Sequence, residues 1–279
     1  MSKIDIEQLK PWIGRTIEAA DEVAPRLVES YRAIFEAHLA PVGDGEAPLG
    51  CQWCLAPAIA PMGELGPDGH PAKGLLLPPV PLPRRMWAGG EIETLAPLRI
   101  GDRVTKKSII ADIALKQGRT GSLCFFTIRH EFSTARGPAI RERQDLVFRE
   151  AASSGAAPPQ APPSERQASH ASSVGPTPVM LFRYSAITFN GHRIHYDEPY
   201  ATTVEGYEGL VVHGPLQATL LLNLAAVIGG RVPSRFAYRA LAPLIGGKRF
   251  EIRGRASDGA IECWTAGPSG QAHMQAEAR

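Results

Sequence analysis

Two stretches of this chain resemble each other closely enough to constrain everything around them. LAPLRIGDRV, starting at Leu95, and LAPLIGGKRF, starting at Leu241, share an opening tetrapeptide, a glycine turn and a basic residue near the end, and strand-like runs flank both. Repeated turns between repeated strands imply a duplicated unit. Each half then reads as a helix, a long excursion or second helix, and an antiparallel sheet. Residues 151–173 are almost wholly Ala, Ser, Pro, Gln and Gly, a linker composition that sets the halves at 1–150 and 174–279.

Apolar spacing fills in the elements. Leu27, Tyr31, Ile34, Phe35 and Leu39 recur at helical period over Pro25–His38, and Pro25 suits a first turn. From Pro41 to Pro83 the chain is dense in Gly and Pro, which predicts an irregular excursion able to act as a lid over a cleft. Strands are expected at Met86–Ala96, Arg103–Lys116, Ser122–Ser133 and Ala139–Arg149, forming an antiparallel meander with turns at Gly101, Gly118 and Gly137. The second half predicts a helix over Thr177–Ile187, with Thr177 as cap and Pro178 in the first turn. Pro215–Gly230 is helical in period and apolar on every face, so it should be buried all round. Two or three strands finish the chain, at Arg235–Leu244, Lys248–Ser257 and a last one over Ile261–Ala266, with Gln271–Ala278 as its candidate continuation.

Several partners are excluded at this level. A balance of 30 basic against 28 acidic residues, with no long basic run, lacks the footprint of a nucleic-acid binder. The most apolar segment carries Gln217 and Asn223 and falls short of the ~20 residues that span a bilayer. Charges also occupy the N-terminal region where a secretory signal would be apolar, so a cytoplasmic protein with no membrane partner is expected. Cys51 and Cys54 form a CxxC, but no second ligand pair is spaced to complete a zinc site unless His38 or His70 is recruited. The pair therefore reads as small buried side chains, and no metal is expected.

The chemistry is concentrated between Tyr184 and Gly214. TFNGHRIHYD places Asn190, His192, Arg193, His195 and Asp197 within eight positions, and LVVHGP follows with His213 and Gly214. Gly214 opens the apolar helix, so its amide falls among the unpaired N–H groups of a helix N-terminus and can receive developing negative charge. A base titrating near neutrality, a fixed amide and an oxyanion donor are what proton transfer beside a carbonyl requires. The competing reading makes His195 a buried histidine satisfied by backbone, His213 a pin for the turn, and His192 and Arg193 a solvated loop face. Lys248 and Arg249 resemble a coenzyme-phosphate patch only by their position after a strand, and surface solubility is the favoured role.

Asn190, four residues, His195-Tyr196-Asp197 and then VVHG together resemble the motif of the MaoC-like hydratase/dehydratase group of hot dog folds. FNGHRIHYD is closer to a two-hot-dog branch that includes mesaconyl- and itaconyl-CoA hydratases and mitochondrial 3-hydroxyacyl thioester dehydratases. The resemblance implies an α+β double hot dog, two antiparallel sheets each wrapping a helix. It also implies His195 as the catalytic histidine and Gly214 as the holder of the thioester oxygen. Asn190 stands where many members have the catalytic aspartate, which leaves His195 as the only obvious proton carrier.

The implied activity is a hydro-lyase acting on a short dicarboxylic enoyl-CoA, of the itaconyl- or mesaconyl-CoA type. Arg193, close to His195, would select the carboxylate, while His192, His213, Lys248 and Arg249 complete the expected binding set. No cofactor is required beyond the coenzyme A of the substrate. The duplicated unit allows a monomer or a homodimer. Alternatives are an (R)-3-hydroxyacyl thioester dehydratase of fatty-acid metabolism, a hot dog thioesterase and a non-catalytic acyl-CoA-binding scaffold, the last motivated by the missing aspartate.

Overall fold

A computed structural model of the chain describes residues 4–75, 77–118, 121–151 and 166–279. The first half supplies strands β1 (Thr16–Glu22), β2 (Arg84–Thr94), β3 (Arg103–Gly118), β4 (Gly121–Thr134) and β5 (Gly137–Arg149). The second supplies β6 (His170–Val174), β7 (Arg235–Ala240), β8 (Phe250–Ser257), β9 (Ala260–Ala266) and β10 (Ala272–Ala278). All pairings are antiparallel, and the order β1-β3-β4-β5-β2-β7-β10-β9-β8-β6 joins the halves into one sheet. The seam is the β2–β7 pair, from Gly89 opposite Arg239 to Glu93 opposite Arg235. Gly90 is needed there because a Cβ would strike the Arg143 carbonyl and the Tyr238 hydroxyl.

The helices are α1 (Ile6–Leu9), α2 (Pro25–Phe35), α3 (Pro178–Ile187) and α4 (Gly214–Gly229). α3 is capped as its sequence predicts, Thr177 accepting from the Met180 N–H with Pro178 in the first turn. α4 ends at Gly230, whose left-handed backbone closes the helix without a Cβ penalty. Leu216, Leu220, Leu221 and Ala225 of α4 are fully buried in a core shared with Ile252, Cys263 and Met274 of the second-half strands.

The duplication is visible bond by bond. Ala47 N–H donates to the Leu98 carbonyl and Val212 N–H to the Leu244 carbonyl, both at 2.8 Å, while Ile100 bonds to Gly45 and Gly246 to Leu210. Isolated bridges Glu46–Arg99 and Val211–Ile245 repeat the same junction. In this alignment α2 corresponds to α3, and the rings of Phe35 and Tyr184 meet edge to face at 5.8 Å where the two helices pack. The counterpart of α4 in the first half is only the short 3-10 turn Cys51–Cys54, followed by the irregular excursion.

Three expectations change. β2 pairs with β5 and β7 instead of leading into β3, because the chain leaving β2 is tied by the Leu95 and Ala96 amides to the Ala139 carbonyl and so crosses the end of β5. Only β3, β4 and β5 form the meander. Two edge strands were not expected. β1 is almost wholly exposed and shows no apolar alternation, and all of β6 but Val174 lies inside the range assigned to the linker. Residues 152–165 of that linker fall outside the described residues.

The excursion between Ala40 and Leu82 returns to the fold at Val80 and Leu82, which pack with Leu9 on Ile110, Phe126 and Phe148 in a second core. Among the described residues no helix is long and apolar enough to cross a membrane.

Candidate active site

The site begins where α3 ends. Phe189 adopts a positive φ of 50°, its N–H donates to the Ala186 carbonyl, and Asn190 N–H donates to the Ser185 carbonyl at 2.8 Å. This is the paired-bond helix ending usually built on glycine, here with a phenylalanine in the left-handed position. It turns the chain so that Asn190 Oδ1 accepts from the His192 N–H at 3.0 Å. A single 3-10 turn, Arg193–His195, follows.

His195 is held from the opposite loop. Val211 N–H donates to the Ile194 carbonyl, and His195 Nδ1 lies 2.7 Å from the Val211 carbonyl. A carbonyl can only accept, so Nδ1 carries the proton and Nε2 keeps its lone pair free to act as a base. Burial pushes the ring's pKa down to about 4, with the Val211 hydrogen bond opposing the shift and nearby His70 adding to it. His195 is therefore neutral at neutral pH. His213 stacks on it at 3.6 Å between ring centroids, shares a 2.8 Å hydrogen bond with Ser185 through Nε2, and is itself pushed well down by burial.

The stack sets the position of Gly214, next in sequence and first residue of α4, where its N–H has no acceptor within the helix. A Cβ at Gly214 would collide with the Trp87 ring, so only glycine lets the helix start approach β2 this closely. The His195–His213 stack brings a free imidazole nitrogen and an unpaired helix-terminal amide to one region, an arrangement suited to moving a proton next to a thioester carbonyl, while Asn190 braces the loop through the His192 N–H.

The sequence profile described as "Hydroxyacyl-thioester dehydratase type 2" matches residues 50–246, most of the chain. This chain belongs to that family of MaoC-like dehydratases. A relative named mesaconyl-C(4)-CoA hydratase, from Chloroflexus aurantiacus, is 40% identical over 269 residues, covering 95% of each chain. Among solved structures, a MaoC-like dehydratase shares 15% identity with a TM-score of 0.70, covering 97% of this chain and 98% of that one. A Mycobacterium tuberculosis protein described as a double hotdog gives 0.57 at 10% identity, covering 95% of each chain. The fold is the double hot dog.

Set against this MaoC-like frame, the expected site residues divide. His195, His213, Gly214, Asn190 and His192 come together. Arg193 does not turn to the base. Its Nε and Nη2 bind Asp197 at 2.9 and 2.7 Å, its Nη1 binds the Pro67 carbonyl, and its guanidinium covers the Tyr200 ring at 4.1 Å. The role of carboxylate selector assigned to it is thereby corrected, because its charge is paired with Asp197 and its guanidinium is held against Pro67 and Tyr200. Lys248 and Arg249 are exposed, Arg249 bonding to Ser173 of β6, and no contact among the described residues links them to His195. Cys51 and Cys54 are buried free thiols, Cys51 pushed up to about 12 by burial, so neither is a thiolate. His38 lies by Ser172 and His70 by His192, which leaves the cysteines without the recruited ligands considered above.

The first half of the chain contributes residues that sequence reasoning missed. Gly69 lies so close to the Gly191 carbonyl that a Cβ there would clash, and Arg193 N–H donates to the Asp68 carbonyl at 2.9 Å. The excursion is thus clasped onto the motif loop. It brings the His70 ring to 4.3 Å from the His192 ring, with His70 Nδ1 bonded to Asp68 at 3.0 Å. His192 lies 5.4 Å from His195, and its Nε2 is buried without a partner. Donor atoms of Asp68, His70 and His192 all fall within 4.8 Å of one another, a spacing that could hold a metal ion. The only sequence signal for these residues was the Gly- and Pro-rich character of the excursion, which gives no register against the second half.

Proposed function

We propose that the chain is a hydratase acting on the α,β double bond of a short dicarboxylic enoyl-CoA of the mesaconyl-CoA type. The near-full-length identity to a mesaconyl-C(4)-CoA hydratase carries this reading, and the geometry around His195 supplies a mechanism. The Gly214 N–H receives the thioester oxygen and stabilises the enolate that forms as water adds to the β-carbon. Nε2 of His195 takes a proton from that water, and the same proton can be returned to the α-carbon, so the imidazole ends as it began. Asn190 orients the water or the motif loop through its amide. It holds no proton to give, which leaves His195 as the acid/base of this step.

The second reading, dehydration of an (R)-3-hydroxyacyl thioester, is favoured by the family description, and it uses the same groups in reverse. The reaction needs no cofactor beyond substrate coenzyme A. Two fused units in one chain make a monomer sufficient, with a homodimer as the alternative, and the cytoplasm is the proposed compartment. Incubation with mesaconyl-C(4)-CoA, itaconyl-CoA and crotonyl-CoA, following enone absorbance and thiol release separately, tests the reading. Enone loss without thiol, fastest with a dicarboxylic substrate, is expected. Thiol release identifies a thioesterase, and neither signal identifies a binding scaffold.

A further inference from the structure

Hydration of a dicarboxylic thioester leaves one carboxylate that the protein must recognise, and with Arg193 committed to Asp197 that cation has to come from elsewhere. β2 supplies one. Arg85 and Trp87 stand two apart, before the irregularity between Trp87 and Gly89, and so share a face of the strand. Trp87 is the residue whose ring rests against Gly214. Arg85 thus projects on the side of the oxyanion amide, one strand step toward the clasped excursion. Its neighbour Arg84 is paired with Glu205 at 2.8 Å. Among the described residues, Arg85 has no ion pair or hydrogen bond to its guanidinium. Burial lowers its pKa to about 10, with the Asp68 charge only partly opposing this, and its field reaches His70 and His192 and pushes both down.

A half-buried guanidinium without an ion pair favours the arrival of an anion. The Asp68 charge that partly offsets its burial belongs to the residue that holds His70, and His70 packs at 4.3 Å on His192, whose buried Nε2 bonds to nothing. We propose that Arg85 and His192, with the His70 ring packed on His192 and held by Asp68, form the subsite that receives the free carboxylate of the acyl group. Asp68 accepts the Nδ1 proton of His70, so the Nε2 of that neutral ring can only accept; the donors offered to the carboxylate are the Arg85 guanidinium and the unpartnered Nε2 of His192, against which the His70 ring packs. The same three side chains that could hold a metal ion would hold it against the Arg85 charge, and that repulsion favours the anion.

This inference rests on the dicarboxylic reading above, and its test separates the two. Wild type, Arg85→Gln, Arg85→Lys and Arg193→Gln are assayed with mesaconyl-C(4)-CoA and with crotonyl-CoA, which has a methyl group and no carboxylate. The expected result is a fall in kcat/KM for the dicarboxylic substrate of roughly 100-fold in Arg85→Gln. The crotonyl-CoA value should fall far less and so reports that the variant has folded. Arg85→Lys should recover part of the loss, because charge is restored without the two parallel bonds, and Arg193→Gln should shift both substrates alike. Equal loss on both substrates in the Arg85 variants overturns the subsite while leaving the hydratase reading in place. A wild type that prefers crotonyl-CoA overturns the dicarboxylic reading itself, and the subsite with it. Zinc-dependent activity that is lost in His70→Ala, with selectivity intact in Arg85→Gln, assigns the cluster to a metal and also overturns it.

Discussion

At the scale of single residues, the catalytic burden rests on one imidazole nitrogen, His195 Nε2, left free because Nδ1 is held by a backbone carbonyl. His195→Ala removes the group that takes the water proton, so turnover should fall by roughly 100-fold to 10,000-fold, the usual worth of a positioned general base. Thioester affinity should be nearly retained, because binding lies with Gly214 and the coenzyme. A stopped-flow binding measurement beside steady-state turnover checks both halves, and a variant that turns over normally ends the mechanism. Asn190→Asp should keep measurable activity with an altered pH profile, since the oxygen that accepts from the His192 N–H is conserved in shape. Asn190→Leu should lose most activity. Equal rates in the two variants would reduce Asn190 to a turn residue. His195 and Gly214 were legible in the sequence because their motif is local. Arg193 was misread because its Asp197 partner, four residues on, competes directly for the guanidinium. Arg85 left no trace because only the folded excursion brings His70 and Asp68 near it.

At the scale of elements, α4 holds the molecule together through polar residues inside an apolar helix. Asn223 accepts from the Ala40 N–H at 3.0 Å and donates to the Leu49 and Thr219 carbonyls, while Thr219 meets the Tyr31 hydroxyl at 3.2 Å. These bonds tie the second-half helix to the first-half loop that begins the excursion. Asn223→Leu preserves bulk but leaves buried donors and acceptors unpaired, each costing about 1–3 kcal/mol. A loss of about 2–4 kcal/mol in urea unfolding is expected from that range, and a change below half of it would mean that water replaces the amide. Asn223 had served, in the sequence, only to argue against a membrane span. The long helices and inner strands were legible because burial forces their apolar period. The edge strands β1 and β6 were not, since strands with one open edge and exposed side chains carry no such pattern.

At the scale of the whole molecule, the buried histidines couple fold to pH. Burial lowers the pKa of His38, His70, His130, His192, His195, His213 and His273, seven of the eight in the chain. A folded pKa below the unfolded one means that, below about pH 6.5, the unfolded chain binds protons the folded chain refuses. Stability therefore rises with pH through that window and is lost as pH falls from about 6.5 toward the folded values. Each such histidine contributes a slope of up to about 1.4 kcal/mol per pH unit. Several together can consume a typical stability of about 5–15 kcal/mol within two or three units. The consequence reaches the chemistry. His195 itself protonates only near pH 4, so kcat/KM should show no acid limb at the usual imidazole value, and the fold should fail before the base does. Urea midpoints measured at pH 7.5, 6.5 and 5.5, set by about one unit either side of the unperturbed histidine value, should fall steeply over the last step. Activity assayed immediately after a pH jump should outlast the equilibrium fold. A flat midpoint across this range, or an activity limb near pH 6.5 in protein shown to be folded, would mean that water reaches these rings and that His195 does not work in the dry pocket described above.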